Sequence, residues 1–296
     1  MGDSVGDSVG DGVGDGVGDG VGDGVGDSVG DSMNDSAREL VSERPEIEAV
    51  VFDAGGTLVR IDFEWMCEML AALGVPVTLE EMRRGEVQGR RRYDGMAGTV
   101  PRTPALGLHP ALGTVGPTQA YFAGMLEAVG CRHPVLEEAL ELMRLRQLAP
   151  SLLWARPMEG ARHALDALAA MGVRACCVSN SDGRAEHHLL HAGVRTGLEF
   201  VIDSQIEGVE KPDPRIFRIA LDKLGLVPER TVYVGDIRSV DMAGARSTGM
   251  HFTLIDPFGD YAGGLPAVRG LAELPAHLAS RFTLVSTGNG SRPPHS

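Results

Sequence analysis

The sequence predicts an α/β fold built on a doubly wound parallel sheet, and three observations lead to this prediction. Residues 47–52 form a short apolar run, rich in β-branched residues, that ends in a glycine-rich turn as a buried strand does. Residues 63–148 show mostly helical spacing of apolar residues. Beyond Pro157, short β-branched runs alternate with helical segments, which is typical of a parallel sheet covered by helices.

The N-terminal segment, residues 1–36, is a four-residue repeat of the form GD(S/G)V. It contains nine Asp and no Lys or Arg, and one Val in four residues cannot offset the entropy of ordering the chain. We therefore expect a disordered acidic tail. The tail carries most of the net charge of −14, because the remaining residues hold 32 acidic and 27 basic groups. The chain therefore lacks the excess of basic residues that is typical of a nucleic-acid-binding protein.

Hydropathy and cysteine usage exclude other classes of protein. No window approaches 18 consecutive apolar residues, so we expect no membrane span, and the N-terminus lacks the pattern of a secretory signal. The four cysteines have no CxxC spacing. We interpret them as reduced thiols and expect a cytoplasmic protein.

The helical segment is predicted to hold four helices, the second opened by a capping box at residues 78–81. Residues 94–117 are rich in Gly and Pro and are predicted to form a long surface loop. The basic run Arg90-Arg91-Arg92 is interpreted as a charged helix end, with contact to an anionic substrate as the alternative. The predicted helices are residues 63–73, a helix from 79, 119–129 and 135–148.

The second half alternates between strands and helices. The predicted strands are residues 173–178, 200–203, 232–234 and 252–255, and the predicted helices are 160–170, 184–191, 214–224 and 240–247. Residues 286–296 are rich in Gly, Ser and Pro and are predicted to be a flexible C-terminus.

Chemically active residues follow the predicted strands. Because ligands of such sheets bind at the carboxyl ends of the strands, these residues are expected to converge on one crevice. They offer three carboxylates, one hydroxyl and one ammonium: Asp53, Ser179 followed by Asn180, Lys211, Asp236 and Asp241. Lys211 is one of only two Lys among 27 basic residues, and a compact ammonium between two carboxylates is not replaced by a planar guanidinium.

The order of four motifs, FDAGGTL, VSN, EKPDP and VGDIRSVDMAGA, resembles that of the haloacid dehalogenase superfamily, a group dominated by phosphatases. The resemblance covers residues 46–257. It implies a helical cap at residues 61–155 inserted into a catalytic core of residues 37–60 and 156–285.

The resemblance implies Mg²⁺-dependent phosphoryl transfer from a small phosphorylated metabolite to water, with Asp53 as nucleophile. The metal set it implies is Asp53, the Gly55 carbonyl and Asp236, with Asp241 binding through water or orienting Lys211. Ser179 and Lys211 would be catalytic. Groups at Gly56, Thr57 and Asn180 would bind the phosphoryl oxygens.

The sequence departs from the family at position 55, where phosphatases of this group usually carry an Asp that protonates the leaving group. Gly55 has no side chain, so the acid–base step must differ: the leaving group needs no proton, or Asp62, Glu64 or His109 supplies it.

Three other reactions or roles are alternatives to phosphoryl transfer. A dehalogenase-type hydrolase is disfavoured because both Asp236 and Asp241 are present and no Tyr stands at position 55. Phosphonate cleavage through a cap lysine is excluded, because no Lys lies between Asp53 and Lys211. A phosphate-ligand binding or regulatory protein with little turnover remains an alternative of a different class.

Overall fold

A computed structural model of the chain describes residues 44–96, 117–148 and 152–286. The predicted tail of residues 1–36, most of the predicted loop of residues 94–117, and all but the first residue of the predicted C-terminal segment lie outside these ranges.

The strands in the described ranges are mostly short. They are β1 (Glu46–Ile47), β2 (Ala49–Phe52), β3 (Val59–Arg60), β4 (Arg156–Pro157), β5 (Arg174–Ser179), β6 (Val201–Asp203), β7 (Thr231–Gly235), β8 (His251–Ile255), β9 (Ala267–Val268) and β10 (Thr283–Leu284).

The helices fall into two groups, four before β4 and six after it. They are α1 (Phe63–Ala72), α2 (Leu79–Gly95), α3 (Pro117–Ala128), α4 (Val135–Leu148), α5 (Ala161–Ala170), α6 (Ala185–His191), α7 (Ser204–Glu207), α8 (Pro214–Leu224), α9 (Ala243–Thr248) and α10 (Leu274–Arg281).

The central sheet has six parallel strands in the order β6-β5-β2-β7-β8-β9, which confirms the predicted fold class. The chain builds outward from β2 on one side through β5 and β6, and on the other through β7, β8 and β9. Strand β2 therefore stands at the point where the winding reverses, and the crevice beyond its carboxyl end is the place where such sheets bind ligands.

Strand β2 is buried on both faces, as its unbroken apolar run predicts. On one face Val50 and Phe52 pack in a cluster with residues of α5 and α10. On the other face Val51 packs with Tyr233 and with Phe217 of α8. The sheet is thus the middle of three layers, and β2 is held rigidly from both sides.

The four helices α1–α4 form an insertion between β3 and β4. These two strands pair antiparallel, so the two links to the insertion run side by side. The insertion has its own apolar cluster, which includes Met66, Met82 and Met125. An inserted helical unit is therefore confirmed, whereas its limits at residues 61 and 155 stay a prediction.

The predicted elements coincide with the observed ones to within a few residues, except that the predicted strand of residues 47–52 is divided into β1 and β2. The predicted helix at 240–247 begins with a π-helical turn at Arg238–Met242, and only then continues as α9. Some short elements have no counterpart in the prediction, because runs of two to eight residues show no clear period: β3, β4, β9, β10, α7 and α10. In the described ranges, no helix combines the length and apolar character needed to cross a membrane.

Candidate active site

Three carboxylates meet at the carboxyl ends of β2 and β7. Asp53 directly follows β2, and its N–H donates to the Val234 carbonyl at 2.9 Å. Asp236 follows β7, and Asp241 lies in the π-helical turn after it. One oxygen from each carboxylate lies within 4.8 Å of the others, and all three residues are buried. The structure thus brings together the three acidic residues singled out from the sequence.

Lys211 lies between two of these carboxylates. Its Nζ donates to Asp53 Oδ1 at 2.5 Å, to Asp241 Oδ1 at 2.8 Å and to the Tyr233 hydroxyl at 2.8 Å. The Tyr233 hydroxyl donates in turn to the Val178 carbonyl. All three protons of the ammonium are therefore used, in a position that is 2% exposed.

Asp241 also holds the loop that carries Asp236. Its second oxygen, Oδ2, accepts hydrogen bonds from the backbone N–H groups of Asp236 at 3.1 Å and Ile237 at 2.9 Å. With Oδ1 bound to Lys211, both oxygens of Asp241 have positioning partners. This geometry favours the alternative in which Asp241 orients Lys211.

The residues predicted to bind the phosphoryl group differ in their hydrogen bonds. The Asn180 side chain is engaged with the Lys211 backbone, accepting from its N–H at 2.7 Å and donating to its carbonyl at 3.0 Å. Ser179 is the buried last residue of β5. The Thr57 hydroxyl is buried and has no hydrogen-bond partner among the described residues.

Gly56 allows the first motif to pass close to Asp236. Its φ is +85°, and a Cβ at this position would lie 2.2 Å from Asp236 Oδ2. No larger residue fits, so the glycine is required both by its backbone conformation and by the close approach.

Burial and mutual repulsion shift the pKa values in this cluster. Burial, together with the nearby Asp241 carboxylate, raises the pKa of Asp53 to about 6 against the opposing effect of Lys211. Burial likewise raises the pKa of Asp236 well above its usual range, although Arg90 opposes it. Burial lowers the pKa of Lys211, but the Asp241 and Asp53 carboxylates outweigh it and raise that pKa overall. Burial is thus the largest cause of the raised pKa values of both carboxyl groups.

The donor set fits a magnesium ion. Hard divalent cations prefer carboxylate and carbonyl oxygens, and the cluster offers three carboxylates without His or Cys. When all three carboxylates are ionised, they outnumber the two cations that face them, Lys211 and Arg90, and a divalent cation would supply positive charge there.

Position 55 is covered by an indole ring. A Cβ at Gly55 would lie 3.3 Å from the Trp154 ring, and Trp154 packs against the apolar clusters of both the core and the insertion. The site of the missing acidic side chain is therefore next to an apolar surface.

Two of the candidate proton donors are paired with arginine side chains. Asp62 is buried in ion pairs with Arg146 at 2.8 Å and Arg156 at 3.3 Å, and it caps α1. A hydrogen bond from Arg60 lowers the pKa of Glu64 to about 2, so Glu64 is ionised near neutral pH. The third candidate, His109, lies outside the described residues.

Arg90 is the residue that sequence reasoning misjudged. The expected charged helix end is instead a side chain only 1% exposed, with Nε 3.2 Å from Asp236 Oδ2. Its place was signalled by spacing: Met82, Glu86 and Arg90 recur every four residues and share the buried face of α2. A run of three arginines obscures this pattern.

The chain was compared with protein families and with curated relatives. The model of the haloacid dehalogenase-like hydrolases matches residues 47–249. A stretch of 98 residues is 39% identical to haloacid dehalogenase-like hydrolase domain-containing protein 3 of Mus musculus, which covers 33% of this chain and 39% of that protein. A stretch of 64 residues is 47% identical to glyceraldehyde 3-phosphate phosphatase of Methanopyrus kandleri, 22% of this chain and 24% of that one. The chain thus matches well under half the length of these relatives.

Solved structures share the fold. The magnesium-bound orthorhombic form of the HAD-hydrolase YfnB from Bacillus subtilis superposes with a TM-score of 0.52 at 16% identity, covering 79% of this chain and 99% of that one. A dehalogenase with an intermediate complex gives a TM-score of 0.51 at 22% identity, covering 77% and 96%. Together with the match of the family model across both the core and the insertion, these observations show that the chain belongs to the haloacid dehalogenase-like hydrolase family.

Proposed function

We propose that this hydrolase is a Mg²⁺-dependent phosphatase that removes the phosphoryl group of a small phosphorylated metabolite through an aspartyl-phosphate at Asp53. One observation carries the proposal: Asp53, Asp236 and Asp241 cluster beside Lys211 at the reversal point of the sheet. A dehalogenation needs no such set of metal-ligating carboxylates. A binding protein gains little from a carboxylate facing a phosphate.

In the first step, an Asp53 oxygen attacks phosphorus and the bond from phosphorus to the leaving oxygen breaks. Water then attacks the aspartyl-phosphate, which releases inorganic phosphate and restores the carboxylate. Lys211 orients Asp53 through the 2.5 Å hydrogen bond to Oδ1. The Ser179 and Thr57 hydroxyls and nearby backbone N–H groups would donate to the phosphoryl oxygens as charge develops on them.

Bound Mg²⁺ would offset the charge of the phosphoryl group, held by Asp53, Asp236 and the Gly55 carbonyl. Asp241 would act mainly through Lys211 and the loop after β7, because both of its oxygens already have partners.

The test is Mg²⁺-dependent phosphate release from a panel of phosphate esters and acyl phosphates. Phosphoserine and glyceraldehyde 3-phosphate belong in the panel, because the chain matches segments of phosphatases named for them. Asp53→Asn should abolish turnover. Asp166→Asn, an exposed partner of Arg162 on α5, is the matched control and should leave turnover unchanged.

Each alternative has its own outcome. Halide release from 2-haloacids that is lost in Asp53→Asn, without phosphate release, would replace the phosphatase with a dehalogenase. Binding of Mg²⁺ and phosphate esters with equal background rates in wild type and Asp53→Asn would indicate a ligand-binding protein.

The acid–base step should restrict the leaving group. Gly55 offers no acid, Asp62 is held in two ion pairs, and Glu64 is ionised near neutral pH. General acid assistance is worth about 10²–10⁴ in rate, so substrates whose leaving group departs without a proton, such as acyl phosphates, should react fastest.

A series of aryl and alkyl phosphates of graded leaving-group pKa tests this restriction. The wild-type rate should fall steeply as that pKa rises. Gly55→Asp combined with Trp154→Ala, which removes the ring that would contact the new side chain, should flatten the dependence, with Trp154→Ala alone as control. Equal wild-type rates across the series would show that another residue donates the proton.

A further inference from the structure

Arg90 carries a positive charge from the helical insertion into the carboxylate cluster. Its Nη1 donates to the carbonyl of Ile255, the last residue of β8, at 3.0 Å, and its Nε lies 3.2 Å from Asp236 Oδ2. On its own helix, Nη2 donates to Glu86 Oε2 at 3.3 Å, and the Tyr121 hydroxyl donates to the other Glu86 oxygen. Arg90 and Asp236 are 1% and 2% exposed.

The rest of α2 keeps the guanidinium in place. Asp94 accepts hydrogen bonds from the Ser239 N–H at 2.8 Å and from the Tyr261 hydroxyl, both on the core. Val87 packs in the apolar cluster of the sheet. Arg90 therefore reaches Asp236 from a helix that also contacts the core through Asp94 and Val87.

The two buried cations divide the three carboxylates between them. Lys211 pairs with Asp53 and Asp241, while Arg90 is the cation that pairs with Asp236 in the described ranges. The contact to Asp236 is one of charge rather than a well-directed hydrogen bond, since the buried Nε makes no hydrogen bond of acceptable geometry. A metal ion that coordinates Asp236 can therefore replace the Arg90 guanidinium at this carboxylate without breaking a strong directional hydrogen bond.

We propose that Arg90 and the divalent cation compete for Asp236, so that Arg90 sets the metal affinity and metal binding loosens the docking of α2 on the core. This inference rests on the proposed function only in taking Asp236 as a metal ligand. Two cations beside one carboxylate repel each other, and buried charges are weakly screened. Coupling between two equilibria is reciprocal. If docking of α2 weakens Mg²⁺ binding, then Mg²⁺ binding destabilises the docked position of α2 by the same free energy.

The first measurement is calorimetric titration of the full chain with MgCl₂. Arg90→Met should bind Mg²⁺ about tenfold more tightly than wild type, within the usual range of coupling between sites. Arg90→Met also leaves the buried Glu86 carboxylate without its ion-pair partner. The comparison is therefore repeated in a Glu86→Gln background, where Arg90→Met should again strengthen Mg²⁺ binding. Arg91→Gln is the matched control: Arg91 donates to the Asp260 carbonyl from the same helix and is exposed, so its loss should leave Mg²⁺ affinity within about twofold.

The second measurement is hydrogen–deuterium exchange of the α2 amides, residues 79–95. Mg²⁺ should speed their exchange in wild type and have little effect in Arg90→Met. Mg²⁺ binding that is weaker or unchanged without Arg90, in both backgrounds, would overturn the competition and leave the phosphatase proposal standing. Absence of Mg²⁺ binding to wild type and to both Arg90 variants would overturn the metal site itself, and the competition with it.

Discussion

The ammonium of Lys211 donates to Asp53 at 2.5 Å, although 158 residues separate the two in the chain. The same nitrogen donates to Asp241 at 2.8 Å, and the Asn180 side chain holds the Lys211 backbone through two hydrogen bonds. Lys211 is thus the structural centre of the carboxylate cluster as well as a predicted catalytic residue.

Replacement of Lys211 should destabilise the folded protein, and a different cationic side chain should not restore the lost stability. Lys211→Met leaves two buried carboxylates without their cation, and such a loss typically destabilises a protein by about 3–5 kcal/mol. Lys211→Arg should rescue little of this, because a planar guanidinium cannot place one nitrogen against three acceptors. Urea unfolding measures the effect. Lys223→Met removes the other lysine, which is exposed, and should change stability by less than about 0.5 kcal/mol.

The contribution of Asp53 to the stability of the metal-free protein should fall as pH rises from about 4 to 6. The pKa of Asp53 is raised from 3.8 to about 6 in the folded state, so between these values the folded state binds more protons than the unfolded one. The difference between wild type and Asp53→Asn should therefore change by on the order of 2–3 kcal/mol across this window, because one pKa unit corresponds to about 1.4 kcal/mol. Urea unfolding in EDTA measures it. Parallel pH profiles for the two proteins would contradict the prediction.

Gly56→Ala should damage the metal site more than a glycine substitution does elsewhere. The new Cβ would lie 2.2 Å from Asp236 Oδ2, so this carboxylate must move. Gly74→Ala is the matched control, because Gly74 has nearly the same φ of +84° but nothing within 4 Å of the added Cβ. Both variants should lose about 1–2 kcal/mol to backbone strain. Mg²⁺ affinity, measured by calorimetry, should fall only in Gly56→Ala.

Asn180 should act through Lys211. Asn180→Ala removes one donor and one acceptor and leaves the backbone N–H and carbonyl of Lys211 unpaired, at a cost of about 1–3 kcal/mol. Turnover should fall with it, since Lys211 orients Asp53. Gln88→Ala, an exposed amide on α2, should change neither property. Full turnover in a destabilised Asn180→Ala would show that this amide is structural only.

Much of the site was predictable because parallel strands bring their ends together. Asp53 and Asp236 each follow a buried β-branched run, and neighbouring strands of one sheet end at the same edge. Lys211 stood out because the chain uses Arg almost everywhere else. Local patterns and composition sufficed for these residues, since their positions depend on where each strand stops.

The surroundings of other residues could not be predicted, because their partners lie on distant segments. Asp62 was considered as a proton donor, yet Arg146 and Arg156 hold it in ion pairs. Arg90 resembled part of a solvated basic run, yet α2 docks with its Arg90 face against the core. The local sequence around a charged residue looks the same whether its side chain is exposed to solvent or buried in an ion pair.

The alternating α/β architecture, the helical insertion and the chemistry at the strand ends can be predicted from the amino-acid sequence, because hydrophobic periodicity and turn residues act over a few positions. The pairing of charges emerges once the elements have packed: Lys211 pairs with Asp53 and Asp241, and Arg90 pairs with Asp236. The free-energy cost of a buried charge depends on the groups that surround it in the folded protein, and spacing along the chain does not specify those groups.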